Sequence, residues 1–168
     1  MKKTLIFTLL FMLPTFVFGQ NYFTATPTRL LPENNIVELP GKSSSEIYNA
    51  LKTWTAKTYK NPDYVLKSDV ANEYLRLNGL WNIMSRGPFG KSAIGLKYTL
   101  TLDIKDGKLR YNIDELTGVD NFSYNNCYKS NGERRTTKEV VNYLNDIELH
   151  ADKFINELIG SINHKEDW

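Results

Sequence analysis

Cysteine and histidine are scarce in this 168-residue chain: Cys127 is the single cysteine, and His150 and His164 are the two histidines. One cysteine excludes an internal disulfide framework and a four-thiolate zinc site. The histidines fall on one predicted helix, about 21 Å apart at 1.5 Å per residue, so they cannot share a metal within one chain. The chain has no HExxH zinc signature, no GxSxG nucleophile elbow and no EF-hand spacing. Ten Gly and six Pro exclude a collagen-like or linker-dominated chain. Neither charge sign dominates, with 21 Lys+Arg against 19 Asp+Glu. At 41% hydrophobic and 24% charged, the chain is neither a disordered tail nor a polytopic membrane protein. No internal repeat occurs. No catalytic residues, metal ligands or cofactor motif emerge from this inventory.

What is present begins with a targeting segment. Lys2 and Lys3 precede an apolar run from Thr4 to Phe18, interrupted by Pro14. A spanning helix needs about 20 apolar residues, and this run is shorter. Gln20-Asn21 follow it, not a basic stop-transfer cluster. Residues 1–19 therefore read as a secretory signal peptide, with Val17 and Gly19 at the −3 and −1 positions of cleavage. The alternative is an uncleaved anchor. No Cys follows the run, so a lipoprotein is excluded, and the expected location is the periplasm or outside the cell. No stable membrane span is expected after cleavage. Lys2 and Lys3 are the only charges removed, which leaves 19 basic and 19 acidic side chains. A nucleic-acid partner is not expected, because phosphate neutralisation needs a surplus of cations.

Residues 20–34, with Pro27 and Pro32, read as an irregular leader. A single α+β domain is expected over 35–163, with a tail at 164–168. Ile36 to Leu39 is a short strand closed by Pro40-Gly41. Ser43 and Glu46 have capping-box spacing, and Ile47, Ala50, Leu51, Trp54 and Thr58 follow at helical intervals. Asn61-Pro62-Asp63 ends that helix. The period then changes to two. Tyr64 to Ser68 reads as a strand, and Asp69 to Asn72 as a turn. Leu75, Leu77, Gly79, Trp81 and Ile83 alternate with polar neighbours. Even positions from Ile94 to Ile104 do the same, Asp106-Gly107 marks a hairpin, and Leu109, Tyr111 and Ile113 return on the apolar face. Residues 118–135 read as a long surface connection. Thr136 and Glu139 form a second capping box before a helix whose stripe runs from Val140 to Ile162. That stripe packs on its own sheet or, alternatively, forms a coiled-coil seam; its width and length favour the sheet. The expected fold is α+β: an antiparallel four- to five-stranded sheet with two helices packed on one face.

The run from Ser43 to Thr117 resembles a secreted bacterial domain family of unknown function with a TATA-binding-protein-like fold. The matching features are Glu46 to Trp54 on the first helix, Val65-Leu66-Lys67-Ser68-Asp69 leading into Tyr74 to Gly79, and Tyr98 through Tyr111. The resemblance implies one half of that fold. It brings no established catalytic residues, and the fold name describes shape without implying DNA binding.

Several segments invite a chemical reading. Ser85 to Ser92 ends like a phosphate-binding loop, but its first glycine is replaced by Ser85 and it leads into a strand, not a helix. Asp146 and His150 have i, i+4 spacing for a surface pair. Asp103, Asp106, Asp114, Glu115 and Asp120 suggest a calcium site or paired catalytic carboxylates, although a turn explains Asp106 and solvent-face alternation explains Asp103 and Asp114. Cys127 is either a reactive thiol or one covered by Tyr124 and Tyr128. The stronger candidate is the wet sheet face: Arg76, Asn78, Asn82, Lys97, Thr99, Thr101, Asp103, Arg110 and Asn112. It is either a platform for an envelope protein or glycan, or a solvated face of cross-strand pairs. The connection from Phe122 to Tyr128 is a second candidate surface, unless it packs locally over the sheet edge. The leading expectation is a non-enzymatic binding module. A small-ligand carrier with a cavity lined by Trp54, Trp81 and Tyr98, and a hydrolase with an unrecognised site, are the alternatives.

Overall fold

The computed structural model describes residues 23–87, 90–120 and 122–163. The expected signal peptide, the tail and His164 lie outside the described residues. The elements are β1 (Phe23–Ala25), β2 (Arg29–Pro32), β3 (Ile36–Glu38), α1 (Ser44–Thr58), α2 (Pro62–Val65), β4 (Leu66–Val70), β5 (Tyr74–Gly87), β6 (Gly90–Lys105), β7 (Lys108–Val119) and α3 (Lys138–Asn163).

Period-two alternation builds the three long strands. Leu75, Leu77, Trp81 and Ile83 of β5 face Leu102, Leu100, Leu96 and Ile94 of β6 across the ladder, and all are buried. Leu109, Tyr111 and Ile113 of β7 complete the apolar face. The seven-stranded antiparallel sheet runs β1-β2-β7-β6-β5-β4, and β3 also pairs with β7. Helices α1 and α3 cover its apolar face. Phe154 of α3 lies 5.3 Å from Trp54 of α1 and 5.2 Å from Trp81 of the sheet, ring centre to ring centre. The α3 stripe, including Ile147, Ala151, Ile155 and Leu158, is buried inside this chain and offers no coiled-coil seam. No helix among the described residues is long and apolar enough to cross a membrane.

The Ser43–Glu46 capping box forms as expected. Ser43 Oγ accepts from the Glu46 amide at 3.2 Å, and Glu46 Oε2 accepts from the Ser43 amide at 2.8 Å. Several other expectations need correction: Tyr64 and Val65 belong to α2 and not to a strand, Asp69 and Val70 belong to β4 and not to a turn, and residues 118–135 are not all surface connection, since β7 runs to Val119 and Tyr124, Cys127 and Tyr128 are buried. The leader is not irregular: within it β1 and β2 form a hairpin, turned at Thr26 and Pro27, which raises the sheet to seven strands. Strands of three and four residues are too short to display alternation. β1 is held by distant groups instead, its Ala25 amide donating to Glu148 Oε1 at 2.7 Å and its Ala25 carbonyl accepting from Arg134. Pro62 does not simply end a helix. Helix α1 stops at Thr58, and Pro62 opens the single turn of α2, capped by Asn61; proline lacks only an amide proton that a first turn leaves unused. Finally, α3 begins at Lys138, one residue later than the Thr136 capping box implies. The Tyr128–Arg134 bridge and the Arg135 amide, bonded to the Cys127 carbonyl at 2.9 Å, keep the chain extended up to that point.

Candidate functional site

The face opposite the helices is open, and most of its polar residues satisfy one another. Asp103 pairs with Arg110 at 3.0 Å and Asn112 accepts from Asn35 at 3.0 Å. Thr101 is half-buried between Arg76 and Asn112, its neighbours on either strand. Asn78, Asn82 and Lys97 are exposed. Thr99 is not the free donor that alternation implied; it is 4% exposed. The reason is a bulge in β7. Asp114 pairs with Thr99 and Thr117 with Lys97, so Glu115 and Leu116 stand opposite Tyr98 alone. Glu115 adopts φ +56°, a left-handed conformation uncommon outside glycine. Its carboxylate accepts from Thr99 Oγ1 at 2.5 Å and from Arg76 at 3.1 Å. The Thr99 hydroxyl, with Arg76 beside it, holds the Glu115 carboxyl below the usual glutamate range.

Beside this network is a notch of about 850 Å³. Its outer wall is the corner from Tyr59 to Lys67, where α1, α2 and β4 meet, and its floor is Asn78 to Leu80, Lys97 to Thr99, Glu115 and Thr117. Gly79 lies under the Tyr98 ring, where a side chain would collide with that ring. The Tyr98 and Tyr59 hydroxyls meet at 2.7 Å. Burial pushes Tyr59 up to about 12 and raises Tyr98 as well, so both stay protonated, one donating to the other. Tyr64 is 71% exposed, with Lys67 Nζ 4.5 Å from its ring centre. Lys60 and Lys97 have no ion pair among the described residues. The notch therefore offers aromatic surface, amide groups and three ammonium groups, with its one carboxylate already engaged. Sequence reading singled out Lys97, Asn78 and Thr99 but missed Tyr59, Tyr64, Lys60 and Lys67. Those four join the floor only through the fold of the α1–α2 corner, and no periodicity signals that.

The place between sheet and helices is filled by rings. Trp81 and Tyr98 stack at 4.2 Å, and Trp54 reaches them through Phe154. The acids weighed as an ion site go separate ways: Asp103 to Arg110, Asp106 to the Ser44 amide at 2.7 Å, Asp114 to Arg29, Glu115 to Arg76. Among the described residues no three His, Cys, Asp or Glu side chains gather where a metal could sit. Asp146 and His150 take different partners: Asp146 accepts from Ser85 Oγ at 2.6 Å, and the His150 ring lies 5.0 Å from Trp81.

The second candidate surface, Phe122 to Tyr128, is a packed corner. Tyr124 is 1% exposed and donates to the Thr26 carbonyl at 2.6 Å; its hydroxyl also meets that of Tyr128 at 2.9 Å. Phe122 packs edge-on against Tyr143. Aromatic residues in a polar stretch here close the core instead of presenting an interface. Cys127 is buried in the same corner, and burial pushes its thiol up to about 11. Native protein at pH 8 is expected to resist a disulfide reagent for hours, while protein in denaturant reacts with one equivalent at once. Rapid labelling of the native thiol would contradict this packing.

A family described as a domain of unknown function (DUF4468) with TBP-like fold matches residues 34–118. Among solved structures, a TBP-like protein from Parabacteroides distasonis ATCC 8503 superposes with a TM-score of 0.61 at 16% identity, covering 78% of this chain and 91% of its own. A DUF4468 family protein from Bacteroides ovatus ATCC 8483 gives a TM-score of 0.61 at 11% identity, over 79% of this chain and 86% of its own. At such identities the likeness shows the fold alone. No curated protein matches the chain.

Proposed function

This chain belongs to the DUF4468 family of domains with a TBP-like fold, and we propose that it is a non-enzymatic binding module of the cell envelope that holds an acidic glycan in the notch beside its open sheet face. The carrying observation is the composition of that notch. An exposed Tyr64 ring, Asn61 and Asn78 amides and three ammonium groups surround about 850 Å³. Sugars stack their apolar faces on aromatic rings and hydrogen-bond through their edges. Lysines near the surface favour carboxylated or sulfated ones by charge. The sheet face itself pairs most of its cations with acids, which leaves little for a phosphate backbone and argues against nucleic acid. Export by the expected signal peptide would bring the domain to glycans of the envelope.

A protein partner is the second reading. Leu80 and Met84, 49% and 61% exposed on the open face of β5, favour it.

The test is retention of envelope polysaccharide fractions by immobilised protein. Lys97→Glu and Tyr64→Ala should each weaken retention of an acidic fraction about tenfold, the loss expected for one charge-assisted contact or one stacking ring. Arg110→Glu, outside the notch and paired with Asp103, should leave it unchanged. Equal retention by wild type, Lys97→Glu and Tyr64→Ala would sink the glycan reading.

A further inference from the structure

Two cross-strand pairs in this sheet set like charges face to face among the described residues: Lys105 with Lys108, and Arg86 with Lys91. Like charges directly opposite destabilise a sheet. At the first pair the repulsion is offset, because Glu38 bonds Lys108 at 3.0 Å. At the second no acid answers. Arg86 and Lys91 sit at the end of the β5–β6 hairpin, and neither has an ion pair among the described residues. Lys138 of α3 joins them, and all three line one pocket of about 370 Å³.

The pocket also contains an acid, Asp146, which would be the natural counter-ion. Its carboxylate is turned instead to the hydroxyl of Ser85, a side chain only 2% exposed, at 2.6 Å. Asn142 is likewise engaged, donating to the Arg86 carbonyl at 3.2 Å. The wall is thus fixed by buried and bonded groups, and the three cations that line the pocket leave it a net surplus of two charges over Asp146. Three separate donors around one cavity suit a tetrahedral dianion, which offers three free oxygens. A carboxylate offers two oxygens and one charge.

We propose that this pocket, separate from the notch, is a binding site for a phosphate monoester. Arg86 and Lys91, which belong to the run that resembles a phosphate loop in sequence, would act here through side-chain charge and not through the amides of a following helix.

Lys91→Glu tests the site with two readouts of opposite sign. In anion-free buffer it converts a like-charged pair into an opposite pair with Arg86, so Tm should rise by about 1–3 °C. Inorganic phosphate or sulfate, compared with chloride at equal ionic strength, should raise the Tm of wild-type protein by a few degrees at about tenfold excess over Kd. The variant should lose that response, with affinity at least about tenfold weaker. Lys138→Gln, at an exposed helix position, should weaken the response without the gain in basal Tm. Glucose 6-phosphate and vesicles containing phosphatidic acid then separate a soluble ester from a lipid headgroup; binding of either by wild type and not by Lys91→Glu supports the site. A wild-type Tm that responds to phosphate and sulfate no more than to chloride overturns the proposal, as does a Lys91→Glu protein that responds like wild type.

Discussion

Trp81→Ala is expected to cost about 3–5 kcal/mol of folding stability, a fall of roughly 10 °C in Tm for a chain of this length. Trp81 is 5% exposed. Its indole stacks on Tyr98 at 4.2 Å and meets Phe154 at 5.2 Å and His150 at 5.0 Å, so truncation empties the junction between sheet and α3. The surrounding rings sit on a strand and a helix that are themselves pinned, and collapse into the gap would be partial. A urea titration monitored by circular dichroism measures the loss directly. The alternative role for this residue, as the wall of a ligand cavity, makes the contrary prediction: a small change in stability and a large change in ligand response. A midpoint within experimental error of wild type would therefore remove the packing account of Trp81.

Gly118→Ala is expected to cost about 3 kcal/mol, through overpacking that cannot relax. Gly118 lies in β7 opposite Leu96. A methyl group there would run into the Phe122 carbonyl oxygen and approach the Tyr124 nitrogen to 2.8 Å. These are main-chain atoms of the corner that holds Tyr124 and Tyr128, so relief requires breaking the Tyr124 bond to Thr26. The β1–β2 turn would loosen with it. Gly160→Ala is the matched control: nothing lies within 4 Å of the added carbon, and an alanine inside α3 should stabilise by about 0.5–1 kcal/mol. Differential scanning calorimetry on the two variants should give shifts of opposite sign. If Gly118→Ala melts with Gly160→Ala, the corner is not as tightly closed as its distances imply.

Trp81 meets residues remote in the chain and Gly118 a corner only four to six residues on, and the same division between distant and local contacts separates what the sequence shows from what it does not. The apolar faces of β5, β6 and β7 could be read from Leu75 to Ile113, because a strand repeats every two residues and one face of this sheet is dry. The start of α1 was legible because Ser43 and Glu46 satisfy each other within four residues. Only the packed structure could add β1 and β2, whose hold comes from Glu148 and Arg134. The candidate site was read in outline only. Alternation assigns Lys97 and Asn78 to the open face, where both are exposed, but Thr99 is covered and no local pattern signals the α1–α2 wall of the notch.

The sequence by itself determined which residues turn toward the core, where the first helix begins and that one sheet face stays wet. These follow from local period and local hydrogen bonding, which a contiguous stretch carries in itself. Tertiary structure alone decided which wet residues remain free to bind. The turn of Glu115 over Thr99, the notch that Tyr64 and Lys97 both line, and the pocket that Lys138 shares with the Arg86–Lys91 pair each bring together residues of different elements. Such meetings depend on the bulge, the chain corner and the crossing of helix over sheet, and a repeat of two or of 3.6 residues says nothing about any of them.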